Sequence, residues 1–146
     1  MLAQNSTRIA EEPRHFPQAA KKPAPPRVLV VDDERLVRWS VAETLTARGY
    51  DVVEAADARS AMLAFGAGDT IDLVLLDLRL PDADDLRVLA CVRQMAPKMP
   101  VILMTAFATR EIIEDATVLG ASVVTKPFDL NDLALAVERA LAARVY

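Results

Sequence analysis

Apolar residues in this chain alternate between short continuous runs and stretches where they recur every three or four positions. The runs are Val28 to Val31, Tyr50 to Ala55, Leu73 to Leu76, Pro100 to Met104 and Ser122 to Thr125. Runs of four to six residues, rich in valine and leucine, are the signature of strands buried on both faces of a parallel sheet. Between them lie helical patterns. Glu34 to Arg48 carries Val37, Val41 and Leu45 on one face and stops at Gly49. Asp57 to Phe65 is a short helix closed by Gly66 and Gly68, and Asp85 to Met95 is another. Arg110 to Leu119 is stopped by Gly120, and Asp129 to about Ala143 has Leu130, Leu133, Val137 and Leu141 as its inner stripe.

Strands and helices alternating in this way predict an α/β fold: a doubly wound, flavodoxin-like sheet of five parallel strands with five helices. Right-handed crossovers restrict the topology, and the common five-stranded order is 2-1-3-4-5. That order sets the ends of the first and third strands side by side, at the edge where open α/β sheets bind ligands.

The chemistry-bearing residues stand at those ends. The first strand runs into Asp32-Asp33-Glu34 and the third into Asp77, with Pro81 ending its exit loop. Asp33 alone could cap the following helix. Together the carboxylates repel: two unit charges about 4 Å apart cost on the order of 4 kcal/mol at an effective dielectric near 20. Hard oxygen donors at an open edge suit Mg²⁺. Zinc is a poor fit, because the one histidine, His15, lies in the N-terminal segment. The fourth strand ends in Thr105-Ala106 and the fifth in Lys126-Pro127-Phe128. A hydroxyl and an ammonium reaching the same edge complete a phosphate site, with metal and lysine neutralising phosphoryl oxygens. Asp77, on the most apolar strand, is the natural nucleophile for an aspartyl phosphate.

Composition narrows the class. The chain has 146 residues, enough for one domain with a substantial core. It shows no run of membrane-spanning length and no apolar leader of the secretory kind. The single cysteine, Cys91, lies in a helical pattern and reads as a buried structural thiol. These features predict a cytoplasmic protein. Residues 1–26 hold four basic against two acidic side chains, so they carry +2; since the whole chain is −4, the remainder carries −6. An acidic domain argues against direct nucleic-acid binding. The first 26 residues also hold five of the nine prolines and end Lys21-Lys22-Pro23-Ala24-Pro25-Pro26, which reads as a disordered, polyproline-like tail.

Four segments in order, VLVVDDE at 28–34, LVLLDLRLPD at 73–82, MTAF at 104–107 and TKPF at 125–128, resemble the receiver domain of bacterial two-component response regulators. The resemblance covers Arg27 to about Ala143, and RLVRWSVAETL at 35–45 is similar to receivers of the nitrogen-regulation type. It implies that Asp77 accepts phosphate from a sensor histidine kinase. It also implies that Asp32, Asp33, Asp77 and the backbone carbonyl of Arg79 hold Mg²⁺, that Thr105 and Lys126 sense the phosphoryl group, and that the Lys126-Pro127 bond is cis. Output would pass to a downstream protein through the face formed by the fourth helix, fifth strand and fifth helix, with a phosphorylation-linked homodimer as a further implied assembly. The expected protein is a receiver over residues 27–146 with no attached effector, and not an enzyme beyond self-catalysed phosphotransfer and dephosphorylation. Two alternatives stay open: a phosphorylation-independent binding module and a phosphorelay intermediate. A flavodoxin-like redox protein is disfavoured, because Asp32-Asp33-Glu34 would repel a flavin phosphate.

The sequence departs from the family pattern at three points. Asp85 stands where a glycine is usual, eight residues after the phosphoacceptor. Gly120 precedes Lys126 by six residues rather than seven, and Val123 replaces the aromatic residue whose ring rotates on activation. The expected readout is therefore a repositioned fourth helix rather than a ring rotamer. Arg79 and Phe107, each two residues past a site residue, are expected to hinder water at the phosphoryl group.

Overall fold

The computed structural model describes residues 23–68, 70–84 and 86–144. Five strands, β1 (Arg27–Val31), β2 (Asp51–Ala55), β3 (Leu73–Asp77), β4 (Val101–Thr105) and β5 (Ser122–Thr125), form one parallel sheet in the order β2-β1-β3-β4-β5. The helices are α1 (Arg35–Ala47), α2 (Ala58–Gly66), α3 (Arg87–Met95), α4 (Arg110–Val118) and α5 (Leu130–Ala142). The predicted class and order are both found, with element ends shifted by one or two residues. The tail expected over residues 1–26 falls outside the described residues except for 23–26, and the Asp85 departure falls outside them entirely. Among the described residues no helix is long and apolar enough to cross a membrane.

Alternation along the strands divides the core into two layers. Leu29, Val31, Val74, Leu76 and Leu103 pack with Ala61, Val88, Leu89, Val92 and Ala116 of α2, α3 and α4. Val28, Val30, Leu73, Leu75, Ile102 and Met104 pack on the other face with Val41, Leu45, Leu133 and Val137 of α1 and α5. Strands covered on both faces have no polar side to present, which is why their sequences read as unbroken aliphatic runs. Register pairs Val31 with Leu76 and Thr105 with Thr125, so the strands end near one line.

Helix ends are specified locally. Asp57 caps α2, accepting from the Ser60 amide at 2.7 Å, and Asp129 caps α5 through the amides of Asn131 and Asp132. Asp82, in the loop after β3, adds its two oxygens to the amides of Ala58 and Arg59 at 2.8 and 3.0 Å. Gly120, just past α4, has φ +73°, a conformation that costs a residue with a Cβ but not glycine. Beside it, the Arg93 guanidinium of α3 donates to the carbonyls of Leu119, Gly120 and Met99. These bonds tie the C-terminal end of α4 to the turn between α3 and β4. Elsewhere α4 is loosely seated, with Ala116 its one buried residue.

Two expectations need correction. Cys91 is half-buried rather than buried. The inward stripe of α3 is Val88, Leu89 and Val92, and Cys91 sits on the flank facing Met62 of α2. Asp33 does not cap α1: Glu34 occupies the cap position without a side-chain bond, and the Glu34 amide donates to Asp32 Oδ1 at 2.8 Å.

Candidate functional site

Asp32 and Asp77 reach the C-terminal edge of the sheet while still within the core. Asp32 is fully buried, Asp77 is 6% exposed and Thr105 is 2% exposed; they are the buried polar or charged residues among those described. Asp33, two residues beyond β1, is exposed. One carboxylate oxygen from each of Asp32, Asp33 and Asp77 lies within 4.8 Å of the others. Crossing from β5, Lys126 places Nζ 2.8 Å from Asp32 Oδ2, 3.4 Å from Asp77 Oδ2 and 3.7 Å from Glu34 Oε1.

Electrostatics follow from this crowding. Burial pushes the Asp77 carboxyl up to about 6; the Arg79 amide opposes that rise, the Asp32 charge adds to it, and Lys126 offsets part. The Asp77 carboxyl is thus held above its ordinary range by desolvation and a like charge. For Lys126, burial alone would lower the ammonium pKa, but the hydrogen bond and charge of Asp32, with Asp77 and Glu34, outweigh it and raise it. The lysine is firmly cationic. Three clustered carboxylates facing one ammonium leave the group short of positive charge. An all-oxygen donor set with one exposed member fits a hard divalent cation such as Mg²⁺.

The remaining predicted residues take definite places. Thr105 ends β4; its carbonyl accepts from the Lys126 amide at 2.7 Å and its Oγ1 accepts from the Phe107 amide at 3.1 Å. The threonine thus joins the lysine through the backbone and shapes the loop leading to α4. The Arg79 amide donates to Asp77 Oδ1 at 3.2 Å, which leaves Oδ2 on the lysine side. The Arg79 guanidinium lies over the Phe107 ring, 4.2 Å from its centroid. The Lys126-Pro127 bond is cis, as the resemblance implied. Val123 is half-buried against the α2–α3–α4 layer.

Sequence reasoning missed two neighbours. Glu34, expected as a strand-end acid where the first helix starts and given no role at the site, reaches Lys126. Arg38 donates from Nη1 to the carbonyl oxygen of Asp32 at 2.7 Å and from Nε to Glu54 at 3.2 Å. Nothing local distinguishes an arginine in the first turns of a helix from any solvated one.

Known proteins match this chain along most of its length. A family model described as the response regulator receiver domain matches residues 28–138. The regulatory protein AtoC of Escherichia coli is 40% identical over 116 residues, which cover 79% of this chain and 25% of that protein. The transcriptional regulatory protein PdtaR of Mycobacterium tuberculosis is 35% identical over 122 residues, 81% of this chain and 58% of that one. The chain therefore spans between a quarter and three-fifths of these relatives. Among solved structures, the receiver domain of NtrX from Brucella abortus is 34% identical with a TM-score of 0.73, covering 80% of this chain and 98% of that one. A CheY-like receiver domain protein from Methanospirillum hungatei is 29% identical with a TM-score of 0.77, covering 82% of this chain and 96% of that one. By sequence, topology and the acidic cluster at its strand ends, the chain belongs to the response regulator receiver domain family of two-component signalling.

Proposed function

We propose that this receiver is a phosphoacceptor switch in which Asp77 takes a phosphoryl group from the phosphohistidine of a sensor histidine kinase. The observation that carries this reading is the placement of Asp77, buried at the end of β3, bonded at Oδ1 and facing Lys126 with Oδ2. In the transfer, Asp77 Oδ2 forms a bond to phosphorus as the P–N bond breaks, and the imidazole leaves with the electron pair. Lys126 supplies positive charge to the phosphoryl oxygens, and Thr105 offers a hydroxyl at the adjacent strand end. Asp32, Asp33, Asp77 and the Arg79 carbonyl would hold Mg²⁺, which supplies Lewis-acid neutralisation of the transferring group. Residues 27–146 form the receiver unit in this reading. It acts in the cytoplasm on a protein target, through α4, β5 and α5, as a switch rather than an enzyme.

Incubation with acetyl phosphate or phosphoramidate and Mg²⁺, followed by intact mass, tests the reading. One added phosphoryl group, absent in Asp77→Ala, is expected. No addition would favour the phosphate-independent module, which Val123 in the aromatic position supports. Onward loss of the group to a second histidine protein would identify a phosphorelay intermediate.

A further inference from the structure

Asp32 is held at every polar atom. Its amide donates to the Ala55 carbonyl at 3.0 Å, Oδ1 accepts from the Glu34 amide, and Oδ2 accepts from Lys126. Its carbonyl oxygen, beyond the last rung of the sheet, accepts from Arg38 Nη1 at 2.7 Å. Asp33 is the opposite case. It is exposed, and its carboxylate has no hydrogen-bond partner among the described residues. What keeps Asp33 in the acidic cluster is therefore the backbone, and the peptide joining it to Asp32 is the one that Arg38 grips.

Arg38 is a cation near the wrong end of its own helix. It lies in the first turns of α1, where the helix dipole disfavours positive charge, and no acidic residue in the first turn compensates. An acid outside the helix supplies the opposite charge to Arg38. Its side chain is 17% exposed, and Glu54 at the end of β2 fixes the other edge of its guanidinium at 3.2 Å. A rigid fork tethered on one side and bonded to a carbonyl on the other sets the orientation of a peptide plane.

We infer that Arg38 is a positioning residue: by fixing the Asp32–Asp33 peptide it holds the Asp33 carboxylate in place to bind a divalent cation. The inference rests on the metal-site reading above. It makes a prediction opposite in sign to simple electrostatics. Removing a nearby positive charge should tighten Mg²⁺ binding if charge alone matters. Loss of a group that orients a metal ligand instead weakens metal affinity, by roughly 10- to 100-fold in known sites.

The experiment is calorimetric titration of the full chain with MgCl₂, without phosphodonor, for the wild type, Arg38→Gln, Arg38→Lys, Asp33→Asn and the Arg38→Gln/Asp33→Asn double variant. Arg38→Gln should weaken binding by about 10-fold. Arg38→Lys keeps the charge and one donor, so a smaller but measurable loss is expected. In the Asp33→Asn background Arg38→Gln should cost less than about 2-fold, because the ligand it positions is already gone. Unchanged or tighter binding in Arg38→Gln would overturn the inference. So would an equal loss with and without Asp33, which would make Arg38 a general support of the fold. Should Arg38→Gln fail to fold, Arg38→Lys decides the matter: unchanged affinity there overturns the inference. Absence of Mg²⁺ binding by the wild type would overturn both this inference and the metal-site reading; wild-type binding with indifferent Arg38 variants would overturn this one alone.

Discussion

Asp77 carries a cost that its neighbours only partly remove. Its carboxyl is pushed up to about 6, against 3.8 ordinarily, chiefly by burial, with Asp32 adding to it. A raised carboxyl pKa means that the folded state binds the proton more tightly than the unfolded chain. The destabilisation is then fully present above the folded value and vanishes as the pH falls below the unfolded one. Two pH units correspond to a ceiling of about 3 kcal/mol. In chelator, Asp77→Asn should therefore raise unfolding free energy by about 1–2 kcal/mol at pH 7.5. The gain should shrink through pH 6 and be nearly gone by about pH 3, as urea melts across that range would show. A gain undiminished at pH 4 would remove charge burial as its cause. Lys126 keeps its 2.8 Å partner Asp32 in that variant, so no orphaned cation confuses the result. A second prediction belongs to the pair at the mouth of the site. Because Arg79 and Phe107 hold each other, either alanine replacement frees the remaining side chain. Arg79→Ala or Phe107→Ala alone should shorten the phosphoryl lifetime nearly as much as the double variant. Lifetimes unchanged in all three would sink the idea that this pair hinders water.

Helices differ in how firmly they are seated, and α4 is among the loosely held ones, since it and α2 each bury a single alanine. α1 buries Val41, Ala42 and Leu45, and α5 buries Leu133, Ala134 and Val137, whereas α4 buries Ala116. Its Arg110–Glu114 pair is exposed and adds little. The N-terminal end of α4 follows the loop from Thr105, while its C-terminal end is fastened by Arg93 to the loop after α3. An element free at one end and tied at the other turns about the tied end. With Val123 packed beside it in place of a ring, phosphorylation should shift the amide resonances of residues 106–113 more than those of 117–120. In Arg93→Gln the gradient should flatten, since the fastened end is released. Equal shifts at both ends of the wild type would remove the pivot.

Across the whole molecule, the fold was legible because its instructions are local. An aliphatic run flanked by polar residues names a central strand, and the handedness of crossovers then orders the strands. The site was legible for the same reason: Asp32, Asp77, Thr105 and Lys126 each directly end such a run. What could not be read depends on distances across the chain. Arg38 and Arg93 are ordinary helix-surface arginines until tertiary structure sets a carbonyl within reach. Asp82 reads as a loop acid, yet it caps a helix more than twenty residues earlier in the chain. Cys91 fits a helical stripe, and its half-exposure follows from which flank of α3 meets α2. The single buried residue of α4 has one further consequence, in terms of populations. Burying one methyl group stabilises by about 0.8 kcal/mol, so apolar burial at Ala116 does little to fix this helix in one placement. A gap of a few kcal/mol between placements would leave the minor one at roughly 0.1–10% before any phosphoryl group arrives. Phosphorylation, as proposed, would then redistribute these placements, and a modest preference for one of them would be enough to carry the signal.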